Sequence, residues 1–162
     1  LRVKEVYHKT LDLVETSIRE TREVSHELVT NFIITKGFKK AVEDLVNKLD
    51  DRGLVFEISI LEIPNTVSDT IKINIYRIVQ ECINNILKHA HATKVYIILE
   101  ADEEYIHGII EDNGQGFDLQ TAKKNGIGID NICTRVHFLK GKIDITSNPG
   151  NGAMIAFHIP ME

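Results

Sequence analysis

At the start of the chain, apolar side chains recur at spacings of four and three. Tyr7, Leu11, Val14, Ile18, Thr21, Ser25 and Leu28 follow that rhythm, the stripe of a coiled coil or helical hairpin, and no Gly or Pro interrupts it. The pattern predicts one helix from Leu1 to about Val29, its stripe weakening toward Thr21 and Ser25. A lone helix buries such a stripe only against a partner, so this one reads as half of something. Gly37 then precedes a short amphipathic helix, Phe38 to about Leu49, ended near Gly53. Val55 to Ile60 has strand composition, and Pro64-Asn65-Thr66 reads as a loop.

The strongest helical pattern follows. Ile71, Ile75, Ile78, Val79, Cys82, Ile86 and Ala90 fall on one face at a helical period. Lys94 to Ala101 and Tyr105 to Ile110 alternate as strands around the polar connection Asp102-Glu103-Glu104. The glycine-punctuated stretch from Asp112 to Gly128 is too long for an ordinary turn. Ile129 to about Leu139 is helical, and Lys142 to Thr146 with Ala153 to Ile159 forms a closing hairpin around Asn148-Pro149-Gly150-Asn151-Gly152. Helices come first, then strands mixed with helices, ending in antiparallel pairs. That order predicts an α+β fold, an α/β sandwich with a mixed sheet preceded by one long helix.

Composition narrows the function classes. The 162 residues suffice for one domain with an appended helix. A formal charge of -5 argues against a general electrostatic nucleic-acid binder. The two cysteines, Cys82 and Cys133, form no zinc pattern and suit a reducing cytoplasm. No apolar run approaches a membrane span and no signal peptide opens the chain. These features predict a soluble, intracellular domain.

Three constellations could carry chemistry. On the central helix Glu81, Asn85 and Lys88 share one edge beside the apolar stripe, with His89 next to them. A carboxylate, an amide oxygen and an ammonium in a row would suit a metal-bound polyphosphate. On the helix alone, a solvated polar edge explains them equally well. Asn85 lies close enough to the stripe to be partly buried and to need a specific polar partner. Asp112-Asn113-Gly114-Gln115-Gly116 ends a strand without a matching strand after it. A carboxylate there can accept from an exocyclic amine, and the glycines let a flat base approach. Gly126-Ile127-Gly128 runs into a helix N-terminus, where free N–H groups favour an anion. It is neither a dinucleotide fingerprint, because Asn131 stands where the third glycine belongs, nor a phosphate loop ending in Gly-Lys-Ser/Thr. His26, beside Glu27, reads as structural. The other histidines show no ligand spacing among themselves.

With these residues in order, the chain resembles the catalytic ATP-binding domain of bacterial sensor histidine kinases, in the subfamily of nitrate and cell-envelope sensors. Glu81 to Ala90 is similar to the family's N-box. Asp112-x-Gly114-x-Gly116-Phe117 is similar to its first glycine box, and Gly126-x-Gly128-Ile129-x-x-Ile132-x-x-Arg135 to its second. The likeness runs from about Phe32 to Pro160, and three boxes in order are far more specific than any one.

The resemblance implies a Bergerat-type sandwich with residues 31–162 as the ATP-binding domain and residues 1–30 as the later part of a dimerisation and phosphotransfer hairpin. It assigns Asp112 to the adenine amine and Asn85 to Mg²⁺. Gly114, Gly116, Gly126, Ile127 and Gly128 line the nucleotide and anchor a mobile lid. Lys88 and His89 lie near the phosphates, and Glu81 polarises the attacking imidazole. Implied partners are the phosphoacceptor helix of a homodimeric kinase and a response-regulator receiver domain. The setting implied is cytoplasmic, with an inner-membrane anchor elsewhere in the parent protein. Nucleic acid and membrane contact are not expected of this chain.

The chain departs from the family in two places. Ala153 stands where a Thr usually supports the adenine contact, and the acceptor histidine signature is not found. Relatives of the same fold suggest two alternatives, an anti-sigma serine kinase and an ATPase acting as a conformational switch. The N-terminal seam helix favours the histidine kinase over both.

Overall fold

The computed structural model describes residues 2–49, 53–61, 63–119 and 127–162. The elements run α1 (Arg2–Lys36), α2 (Phe38–Asn47), β1 (Val55–Ile60), α3 (Asp69–Asn85), a π-helical turn (Ile86–Ala90), β2 (Lys94–Ala101), β3 (Tyr105–Asp112), α4 (Ile127–Phe138), β4 (Lys142–Ser147) and β5 (Ala153–Pro160).

The first helix does not stop near Val29, as the fading stripe predicts, but runs on to Lys36. Nothing between Thr30 and Lys36 breaks a helix. The Thr35 hydroxyl bonds back to the Asn31 carbonyl at 2.7 Å, and Ile33 is buried in the core. Gly37, at φ 85°, is the first residue able to turn the chain without a Cβ penalty. Packing of Ile33 therefore extends the helix beyond the point where its exposed stripe weakens.

The sheet order is β1-β2-β3-β5-β4, with β1 parallel to β2 and every other pair antiparallel. The predicted mixed sheet is observed. A parallel pair needs a crossover, and α3 supplies it. Ser68 caps α3 by accepting from the Ile71 N–H at 3.3 Å, and Asp69 suits the positive end of the helix.

The two layers meet in one core. Val95, Ile97, Leu99, Ile106, Ile110, Phe157 and Ile159 point inward from the sheet, against Ile75, Ile78, Val79 and Cys82 of α3 and Ile132 and Val136 of α4. Burying these side chains contributes about 1.5–3 kcal/mol for each large one, the main term favouring the sandwich. On the outer face of the sheet, His107 pairs with its cross-strand neighbour His158 at 2.6 Å between Nδ1 atoms. Its Nε2 bonds Asp102 Oδ2 at 2.8 Å. That bond, with the N–H groups of Tyr105 and Glu104, lowers the Asp102 pKa to about 2. Sequence spacing does not reveal this cluster, because the β3–β5 register brings His158 to His107 and the β2–β3 turn folds Asp102 back onto it.

Candidate functional site

One end of the sandwich opens into a cleft of about 530 Å³ between α3 with its π turn, the ends of β3 and β5, and the start of α4. Its floor is apolar, with Cys82 and Ile86 on the helix side and Ile110 and Ile155 on the sheet side. Burial and the neighbouring Glu81 push the Cys82 thiol well above its ordinary pKa, so it acts as packing and not as a nucleophile.

The rim is polar. The last turn of α3 widens into the π turn, and His91, left-handed at φ 51°, ends it. The freed carbonyls have partners: Gln115 donates its backbone N–H to Ala90 O and its side-chain amide to His89 O, both at 2.7 Å. The loop after β3 is thereby laced to the end of α3. A π turn at a functional edge re-aims the side chains it carries. Here those are Lys88 and His89, both exposed and both lining the cleft.

Asp112 closes β3 between Val95 on one side and Ala153 on the other. It is only 7% exposed, and its Oδ1 accepts the Gly114 N–H at 2.8 Å. Burial raises its pKa above the ordinary carboxylate value, while N–H groups of Gly114 and Ala153 oppose the shift. Gly116 sits at φ 60°, and a Cβ there would strike the Asn148 carbonyl. Ser147, which the sequence reading passed over, locks the same corner. Its hydroxyl accepts from the Phe117 N–H and donates to the Gly152 carbonyl, each at 2.9 Å.

Helix α4 enters the site at Gly128. A Cβ on that residue would lie 2.8 Å from Asn85 Oδ1 and 2.9 Å from Glu81 Oε1. Glycine is what allows the two helices to approach at their polar edges. Glu81, Asn85, Lys88, His89, Asp112, Gly116 and Gly128 thus converge on one cleft. Gly114 supports it from the turn beneath, and Ile127 is the first residue of α4. Gly126 lies outside the described residues.

Asn85 corrects one expectation. It is half-buried, but among the described residues its side chain has no hydrogen-bond partner. The reason is position: the amide lies at the open edge of the cleft, where solvent can satisfy it. The apolar walls, Ile86, Ile110 and Ile155, also escaped the sequence reading, because a cleft wall has the same alternation as a core face.

The family profile described as Histidine kinase-, DNA gyrase B-, and HSP90-like ATPase matches residues 70–162. That span holds every residue lining the cleft. Among curated relatives, the signal transduction histidine-protein kinase/phosphatase DegS of Brevibacillus brevis is 29% identical over 92% of this chain and 39% of its own length. Sensor protein VraS of Staphylococcus epidermidis is 32% identical over 78% of this chain and 35% of its own length. Sensor histidine kinase ComP of Bacillus subtilis is 34% identical over 83% and 18%, respectively. The chain thus spans less than two fifths of each of these relatives.

Solved structures share the architecture. The blue-light activated histidine kinase of Erythrobacter litoralis EL346 superposes with TM-score 0.70 at 17% identity, covering 91% of this chain and 50% of that one. Histidine kinase AdeS of Acinetobacter baumannii gives 0.64 at 21% identity, covering 93% and 83%. At these identities the likeness speaks for the fold.

Proposed function

Because the chain belongs to the family of histidine kinase-, DNA gyrase B- and HSP90-like ATPases, we propose that it is the ATP-binding catalytic part of a sensor histidine kinase in two-component signalling. The observation that carries this reading is the buried Asp112 carboxylate at the edge of an apolar cleft, flanked by the polar edge of α3. The relatives named as sensor kinases support it.

In this reading Asp112 accepts a hydrogen bond from the adenine amine, and Ile110 and Ile155 pack against the base. The pocket fits adenine because the carboxylate is held in place by Gly114 and faces an apolar floor. Asn85 offers a hard amide oxygen suited to Mg²⁺, which prefers few protein ligands and shares its shell with phosphates. When bound, the metal would offset the charge of the β- and γ-phosphates. Lys88 and His89 stand at the phosphate end of the cleft. Glu81 takes the proton of the attacking imidazole as its nitrogen bonds the γ-phosphorus and ADP leaves. The apolar walls exclude water from the adenine end.

Residues 1–30 belong, in the same proposal, to a dimerisation hairpin, and the phosphoryl group passes on to a response-regulator aspartate. The parent protein works on the cytoplasmic side of a membrane. For the chain itself, no described helix is long and apolar enough to cross one. His26 lies within α1 and is assigned no acceptor role.

Incubation with γ-labelled ATP tests the assignment. The chain alone should take up no acid-labile, alkali-stable label, whereas a kinase segment carrying the acceptor histidine, added in trans, should become labelled. Label on the chain that disappears in His26→Gln would make this a complete kinase core. Label on neither protein would contradict phosphoryl donation.

A further inference from the structure

A second cleft, of about 440 Å³, shares no lining residue with the first. It forms where the last turn of α1, the first turn of α2 and the first turns of α3 meet, and Lys36, Lys39, Lys40 and Lys72 line it. The acids on its wall are Glu43 and Asp69. Lys40 is already engaged, with Asp44 at 3.1 Å and Glu43 at 3.8 Å. Asp69 sits in the first turn of α3, where it answers that helix's own positive end.

Two independent features leave positive charge uncompensated here. Helix α2 starts without a capping side chain, since its N-cap is Gly37, and its first turn carries no acid. Its leading N–H groups therefore have no capping side chain to accept from them. Lys72 is only 9% exposed, and among the described residues its ammonium has neither an ion pair nor a hydrogen bond. Only the tip of a lysine held this deeply reaches solvent, and that tip carries the unpaired ammonium. A fold that keeps one beside an uncapped helix start has the donor set of an anion site.

We propose that this cleft binds an oxyanion of the phosphate class. Lysines act as point charges and, together with helix N–H groups, suit the compact, highly charged oxygens of a phosphate. The site would join three elements across the Gly37 corner. Its occupancy would therefore fix the angle at which α1 leaves the sandwich.

Titration of inorganic phosphate into the chain at constant ionic strength, followed by amide chemical shifts, tests this. Phosphoserine forms the second arm. Saturable shifts confined to the start of α2 and to Lys72 are expected with at least one of them. The tighter ligand tells a free ion from a phosphate borne on a side chain. Lys72→Met, which keeps the apolar stem, should weaken binding by about tenfold or more, and Lys72→Arg should restore most of it. ATP affinity should be unchanged in both variants. If Lys72→Met fails to fold, the exposed pair Lys36→Gln and Lys39→Gln should give the same loss. Shifts that do not saturate with either anion, or that persist unchanged in the lysine variants, would overturn the proposal.

Discussion

At Asp112 two influences oppose each other: burial raises the carboxyl's pKa, and the N–H groups of Gly114 and Ala153 pull it back. Burial prevails, so the folded pKa lies above the unfolded one. The group therefore favours folding most at low pH, and that contribution is lost as pH rises through the raised value. Nucleotide binding follows the opposite course, because only the ionised carboxylate accepts cleanly from an amine. ATP affinity should fall on acidification while the pH is still above the ordinary carboxylate range. Affinity that stays flat until the protein unfolds would show that Asp112 is not the adenine contact. At Asn85 the expected loss concerns metal. Asn85→Ala should cut the Mg²⁺-dependent part of ATP affinity by at least the ~10-fold that even a supporting ligand is worth. The metal-free part should change much less, and titrations with and without Mg²⁺ separate the two. Equal losses would point to packing against Gly128. Such polar residues were legible in the sequence because they stand out from an apolar stripe. Ser147 was not, since a hydroxyl at a strand end looks like any exposed serine until Phe117 and Gly152 are seen to close on it.

Among the elements, strands and the central helix read well from periodicity: β1 and β2 span the predicted residues, and the α3 stripe is buried except for a half-exposed Ala90. Sheet order was beyond reach, because the pairing of β3 with β5 joins segments far apart in sequence. The π turn was equally hidden. Its freed carbonyls are answered by Gln115, a residue of another loop, and not by anything local. Pairing also explains Gly108, which faces Phe157 across β3 and β5 and whose Cβ would collide with that ring. Gly108→Ala should destabilise the sandwich by about 1–3 kcal/mol through overpacking. A melting curve that does not move would mean the Phe157 ring can yield.

In the molecule as a whole, the candidate nucleotide cleft opens at one end of the sandwich, and the long helix α1 packs against α2 and α3. The family resemblance was legible in boxes that stand in order along the sequence, and the profile match over residues 70–162 shows the membership. The cleft that unites them exists only because α3, the ends of β3 and β5, and Gly128 of α4 converge. The most direct test is the melting temperature of the wild-type chain and Asp112→Asn, each with and without Mg·ATP. Ligand at about 100 times its dissociation constant should stabilise the wild type by about 2.7 kcal/mol. Asp112→Asn should fold as before and show no ATP-dependent rise. A variant that keeps the full rise would contradict the assignment of this cleft to adenine.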